Sequence, residues 1–190
     1  GINIGYRLAG DAGYPGATED IASAVAWTRQ HATEFGIDRD RLFLMGHSAG
    51  AAHSGSYVYD SRRHPADGPG LAGHLVVSGR VRAETRPENP NAHKVVAYYG
   101  TDSADALADA SPVSHIGPDS LPTFIAFAEY ENPLIDVHCL ELASRLAQAK
   151  RRAPPLVWLP GHNHTSIIGH INTSEDHLGQ AMLNFIAHPR

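Results

Sequence analysis

Between Leu42 and Gly55 the chain reads LFLMGHSAGAAHSG, an apolar run that gives way without a spacer to glycine, serine and alanine. A short apolar run of this kind suits a buried strand, and the small residues after it suit a helix packed closely on a sheet. Only Gly46-His47-Ser48 separate the two, so the chain must reverse within about one turn. That is a strong constraint. A strand feeding a helix at once is half of a βαβ unit, and such units build parallel sheets with right-handed crossovers.

The rest of the chain repeats the theme. Ile2, Ile4 and Tyr6 alternate as in a strand, and GDAGYPG follows as loop punctuation. Ile21, Ala24, Val25, Thr28, Ala32 and Phe35 then fall on one helical stripe, with Thr18 as the expected N-cap and Gly36 as the stop. RLFLM reads as a strand and Ala49 to about Tyr59 as a helix. AGHLVVSG, LPTFIAFAEY and PPLVWLP read as further strands. Asp136 is expected to cap a helix that turns Leu142, Ala143, Leu146 and Ala149 inward. A last helix from about Ser174 presents Leu178, Ala181, Met182, Phe185 and Ile186 on one face. Residues 81–120 carry turn-forming residues and few long apolar runs, and read as an irregular excursion with one or two short helices. The expectation is one α/β domain over residues 1–190, a mostly parallel sheet with helices on both faces. In such sheets chemistry gathers at the carboxyl ends of the strands, where Ser48, Glu131 and the GHNH segment all fall.

Bulk properties narrow the function classes. At 190 residues the chain has the size of one domain. No apolar stretch approaches the roughly 18 residues of a membrane span. Fifteen basic against twenty acidic side chains argue against nucleic-acid or membrane-surface binding and leave a small-molecule substrate open. The lone Cys139 excludes an internal disulfide and fits a reducing compartment, so a cytoplasmic location is expected.

Gly46-His47-Ser48-Ala49-Gly50 is a G-x-S-x-G pattern between a strand and a helix, the context that makes Ser48 a nucleophile candidate. Both flanking glycines are expected to avoid collisions, and the Ala49 amide at the helix start is expected to face a developing oxyanion. A serine attacks an acyl carbon only with a base to take its proton and a carboxylate to orient that base. Among thirteen histidines, position selects His164 in GHNHTS after the last strand, with His162 as the alternative. The acid is expected in FAEYENPLID, with Glu131 preferred over Asp136 and Glu129. His162, His164 and His170 also invite a metal reading, but no cysteine or second ligand cluster joins them. No metal or organic cofactor is required. Apolar loops near Tyr98, Tyr99 and Leu134 could line an acyl pocket.

With these residues in place the chain resembles the α/β-hydrolases, more narrowly the esterase branch that includes hormone-sensitive-lipase-like carboxylesterases and arylformamidases. The resemblance is carried by GYRLA, YPGATEDIASAVAW, GIDRDRLFLMGHSAGA, SPVSHI, AEYENP and GHNHTS, in that order. It implies Ser48 as nucleophile, His164 as base and an acid on the EYEN loop, where relatives more often carry Asp-Pro in place of Glu131-Asn132. It also implies a His-Gly-Gly oxyanion motif ahead of the YRL strand. This chain has no Gly-Gly dipeptide and opens at that strand. The expectation is therefore an N-terminally incomplete fold, the C-terminal two-thirds, in which a missing segment or a partner completes the sheet. Oligomeric state is left open. Ester hydrolysis is the leading activity; an arylformamidase-type amide hydrolase and an inactive relative serving as a binding module are the alternatives.

Overall fold

The computed structural model describes residues 1–189. Four strands, β1 (Phe43–His47), β2 (Gly73–Val77), β3 (Thr123–Tyr130) and β4 (Leu156–Asn163), form one all-parallel sheet in the order β1-β2-β3-β4. Sequential parallel order requires every crossover to return over the sheet, and helices supply them. The helices are α1 (Gly16–Gln30), α2 (Ala49–Tyr59), α3 (Ala92–Tyr99), α4 (Ala104–Ala110), α5 (Ile135–Lys150), α6 (Ser166–Gly169) and α7 (His177–Ala187). The expected excursion at 81–120 holds α3 and α4.

Strand alternation divides the core in two. Val76, Ile125 and Phe127 pack with Ile21, Val25, Tyr57, Cys139, Leu142 and Leu146 from α1, α2 and α5. Leu75, Val77, Phe124, Ala126 and Ala128 face the other way, against Ile167, Leu178 and Phe185 from α6 and α7. Because the central strands are covered on both faces, they read as continuous apolar runs in the sequence. Among the described residues no helix is long and apolar enough to cross a membrane.

Several sequence expectations are corrected. Residues 2–6 form no strand: their alternation is real, but a strand exists only by pairing, and this segment joins no ladder. It is tied down instead by Arg7, whose backbone amide and Nε donate to Asp20 at 2.9 and 3.0 Å and whose Nη2 donates to the Gly16 carbonyl. Between this segment and the outer side of β1 runs a groove of about 850 Å³, lined by Ile2, Ile4, Tyr6, Val25, Met45 and His47 among others. Thr18 does not cap α1, which starts two residues earlier behind Pro15; Thr18 is buried in its first turn. The helix stops at Gln30, which leaves Phe35 more than half exposed. Asp136 lies inside α5, one residue past its start, because the chain turns at Leu134 with φ 70°.

A buried polar chain crosses beneath the sheet. Ser54 Oγ meets His74 Nε2 at 2.9 Å, His74 Nδ1 meets the Tyr59 hydroxyl at 3.0 Å, and Tyr59 meets Thr123 Oγ1 at 3.0 Å. Thr123 donates to the Leu121 carbonyl, which only accepts, and this end fixes the donors back to His74. Tyr59 must donate to Thr123 and His74 Nδ1–H to Tyr59. Complete burial holds the imidazole pKa down at about 3, so the ring is neutral at pH 7 and its Nε2 accepts from Ser54. A histidine depressed in this way adds stability that is present above the unfolded-chain value near 6.5 and lost as pH falls from there toward 3. Wild-type unfolding free energy is expected to drop by on the order of 3 kcal/mol between pH 7 and pH 4 from this group. In His74→Gln, denaturant titrations across that range should show a visibly flatter slope.

Candidate active site

Register brings the functional side chains together. His47 at the end of β1 pairs with Val77 at the end of β2, so Ser48 and Ser78 are the next residues out on adjacent strands. Tyr130 pairs with Asn163, so Glu131 and His164 are likewise the next residues out on β3 and β4. All four project from one rim.

Ser48 sits between β1 and α2 at φ 54°, ψ −119°, a conformation that costs a non-glycine residue about 1–3 kcal/mol. Backbone bonds hold it there. Its N–H donates to the Val77 carbonyl at 3.1 Å, and its own carbonyl accepts from the amides of Ala51 and Arg80. Ser48 Oγ lies 2.9 Å from His164 Nε2, and His164 Nδ1 lies 2.7 Å from Glu131 Oε2. Glu131 Oε1 accepts in turn from Ser78 Oγ at 2.5 Å and from the Ala128 amide at 2.9 Å. The longer glutamate arm thus folds back onto its own strand. A carboxylate that only accepts fixes the Nδ1–H tautomer, leaving Nε2 free to take a proton from Ser48.

The other candidates are employed elsewhere. Glu129 Oε2 accepts from the Gly161 amide at 2.8 Å, securing the bend near the end of β4. Asp136 is exposed and accepts from the Val137 amide. His162 is buried, with Nδ1 3.4 Å from Ser166 Oγ and its ring edge-on to His170. His170 itself pairs with Glu175 at 2.8 Å. Cys139 is buried, its thiol pushed up to about 12 by desolvation. Tyr98, Tyr99 and Leu134 do not line the groove beside the elbow; Tyr98 and Tyr99 instead cluster with Tyr14.

Three participants carry no catalytic assignment from the sequence, in which His47 reads as a packed or hydrogen-bonded neighbour inside the elbow. Ser78 looks like an ordinary strand-end serine. Asn163 shapes the histidine loop by accepting from the amides of Thr165 and Ser166, both at 2.9 Å. His47 places Nε2 3.0 Å from the His164 carbonyl. The G-x-S-x-G histidine, the Ser-Gly after β2 and the His-Asn-His triplet were the only signals available.

Ala49 is exposed and opens α2, so its amide has no intrahelical acceptor. The two glycines of the motif differ. A Cβ on Gly46 would strike Ser54 Oγ and come within 2.6 Å of Ala51 Cα, whereas one on Gly50 would meet only the Tyr6 hydroxyl at 3.8 Å. The expected collision at Gly50 is therefore absent.

A parallel α/β sheet with a serine elbow, histidine and carboxylate on one rim defines the class. The chain belongs to the α/β-hydrolase fold family, whose model matches residues 2–167. Among relatives, it is 26% identical over 167 residues to versiconal hemiacetal acetate esterase of Dothistroma septosporum, covering 77% of this chain and 51% of that protein. It is 24% identical over 176 residues to esterase LipQ of Mycobacterium tuberculosis, covering 86% and 42%. A local stretch of 49 residues, 26% of this chain and 16% of that protein, is 43% identical to an arylesterase of Saccharolobus solfataricus. The matches thus span about half or less of these curated relatives. Of solved structures, a truncated carbohydrate esterase from gut microbiota superposes with TM-score 0.80 at 16% identity, over 97% of this chain and 72% of that one. The Pyrobaculum calidifontis esterase does so with TM-score 0.75 at 21% identity, over 95% and 63%.

Gly46→Ala should cost about 1–3 kcal/mol in equilibrium unfolding, because Ser54 and the α2 backbone must shift. Gly50→Ala should be neutral or stabilising by up to about 1 kcal/mol, as expected for alanine replacing glycine in a helix.

Proposed function

We propose that this chain is a serine hydrolase of carboxylic esters, with Ser48 as nucleophile, His164 as general base and acid, Glu131 as the orienting carboxylate and the Ala49 amide as an oxyanion donor. One observation carries the reading: an unbroken line of contacts from Ser48 Oγ through both nitrogens of His164 to Glu131. The names of the relatives point to the same chemistry.

Ser48 Oγ attacks the acyl carbon as its proton passes to His164 Nε2, forming the C–O bond and a tetrahedral oxyanion beside the Ala49 N–H. Collapse breaks the bond to the alcohol, which leaves with the Nε2 proton. Water then repeats the sequence, giving up a proton to Nε2 as it attacks the acyl-enzyme. The acid leaves and Ser48 recovers its proton. Glu131, 3% exposed at its side chain, stabilises the transient imidazolium through Nδ1–H. No step calls for a metal or organic cofactor.

Residues 1–190 act here as one α/β-hydrolase domain, with 81–120 as an excursion between strands, on a small-molecule ester. The outer edge of β1 is unpaired among the described residues and faces the groove beside residues 1–6. An added strand there, from further chain or from a partner, would pair that edge and bring more backbone N–H groups near the oxyanion side.

Hydrolysis of p-nitrophenyl acetate and labelling by a fluorophosphonate test the reading. Ser48→Ala should abolish labelling, and Glu131→Gln should lower kcat by on the order of 10⁴, the usual cost of presenting the wrong histidine tautomer. No labelling of a folded wild-type chain would overturn it in favour of a binding role. Faster turnover of N-formylkynurenine would move the activity to aryl formamides. Unchanged activity in an N-terminally extended chain would remove the need for sheet completion.

A further inference from the structure

We propose that His47, the residue immediately before the nucleophile, is a positioning residue for the base: its Nε2–H anchors the backbone of His164 while its ring backs the His164 imidazole. The inference rests on the hydrolase reading, since it assigns His164 the role of base.

The geometry is two-sided. His47 Nε2 lies 3.0 Å from the His164 carbonyl. A carbonyl only accepts, so Nε2 carries the proton and the bond has one polarity. The rings of His47 and His164 are 4.7 Å apart at their centroids and inclined by 33°. His47 therefore touches the base at both its main chain and its ring. This matters because His164 stands on a connection rather than in a strand: β4 ends at Asn163 and α6 begins at Ser166. Asn163 shapes that connection from within, through the Thr165 and Ser166 amides. The bond from His47 fastens it from outside, to the strand that delivers Ser48. Ser48 and the anchor of its base are thus adjacent residues at the end of β1, so any shift of the strand end carries both together. A displacement of about 1 Å in such a pair can cost on the order of a hundredfold in rate.

Charge favours the arrangement. The charged groups facing His47 are His164, when protonated, and Glu131. Burial holds the His47 imidazole below its ordinary pKa, so it stays neutral at pH 7 and does not repel the imidazolium that His164 becomes during turnover. A lysine or arginine here could also donate to the carbonyl, but would place a permanent cation against that imidazolium.

Two variants of the whole chain separate the anchor from simple packing. His47→Phe keeps a stacked ring and removes the donor; His47→Gln removes the ring and keeps an N–H at similar reach. With p-nitrophenyl acetate, His47→Phe should lose at least tenfold in kcat with KM within about twofold, and His47→Gln should stay within about threefold of wild type. In parallel, the low-field proton resonance of the His164 Nδ1–H bonded to Glu131 should broaden away in His47→Phe and persist in His47→Gln. Equal behaviour of the two variants, whether both intact or both impaired, would overturn the proposal. If the wild-type chain turns over no ester, the hydrolase reading falls, and the resonance comparison by itself still decides whether His47 anchors His164.

Discussion

A carboxylate with only 3% of its side chain exposed needs hydrogen-bond donors around it, and the placement of those donors around Glu131 organises the rim. Ser78 comes from the end of β2, the Ala128 amide from β3 itself, and His164 from beyond β4. Three neighbouring strands thus meet at one side chain. Parallel register makes the convergence possible, since strands running the same way deliver their following residues to one edge. The elbow at Ser48 adds a fourth contribution from β1, through its bond to the Val77 carbonyl. Removing Ser78 or His164 would leave this buried carboxylate short of a partner, a worse outcome than never having had the group.

Much of this was readable from residue order, for reasons that differ by element. The helix from Ala49 to Tyr59 was legible at both ends because its small residues follow a strand without a spacer. The two covered central strands were legible as apolar runs. The N-terminal segment misled because alternation reports a preferred backbone, whereas a strand is a relation between two backbones. Thr18 and Asp136 were misplaced as caps by three and two residues because the chain turned at Pro15 and Leu134, neither of which makes a side-chain capping bond.

At the site the same limit appears. Ser48, Glu131 and His164 stood out because each follows a strand and has the chemistry the others require. Ser78, Asn163 and His47 did not, since serine, asparagine and histidine at strand ends are common turn or surface residues. Their value lies in what crosses the gap between strands, 53 residues apart for Ser78 and Glu131 and 117 for His47 and His164. The length of the Glu131 side chain is used on the same route: one oxygen reaches back to the Ala128 amide while the other serves His164.

Gly46 rests directly above Ser54, the head of the buried chain that runs through His74, Tyr59 and Thr123 to the Leu121 carbonyl. Because burial keeps His74 neutral and each donor in that relay is dictated by its neighbour, the hydroxyl under the Ser48 turn points toward His74. The rim that carries Ser48 therefore stands on a foundation whose orientation is set at the opposite end of β3, near the start of the strand that leads to Glu131. A reversal of the Thr123 hydroxyl would propagate link by link and unsettle the ground beneath Ser48 from the far end of the sheet.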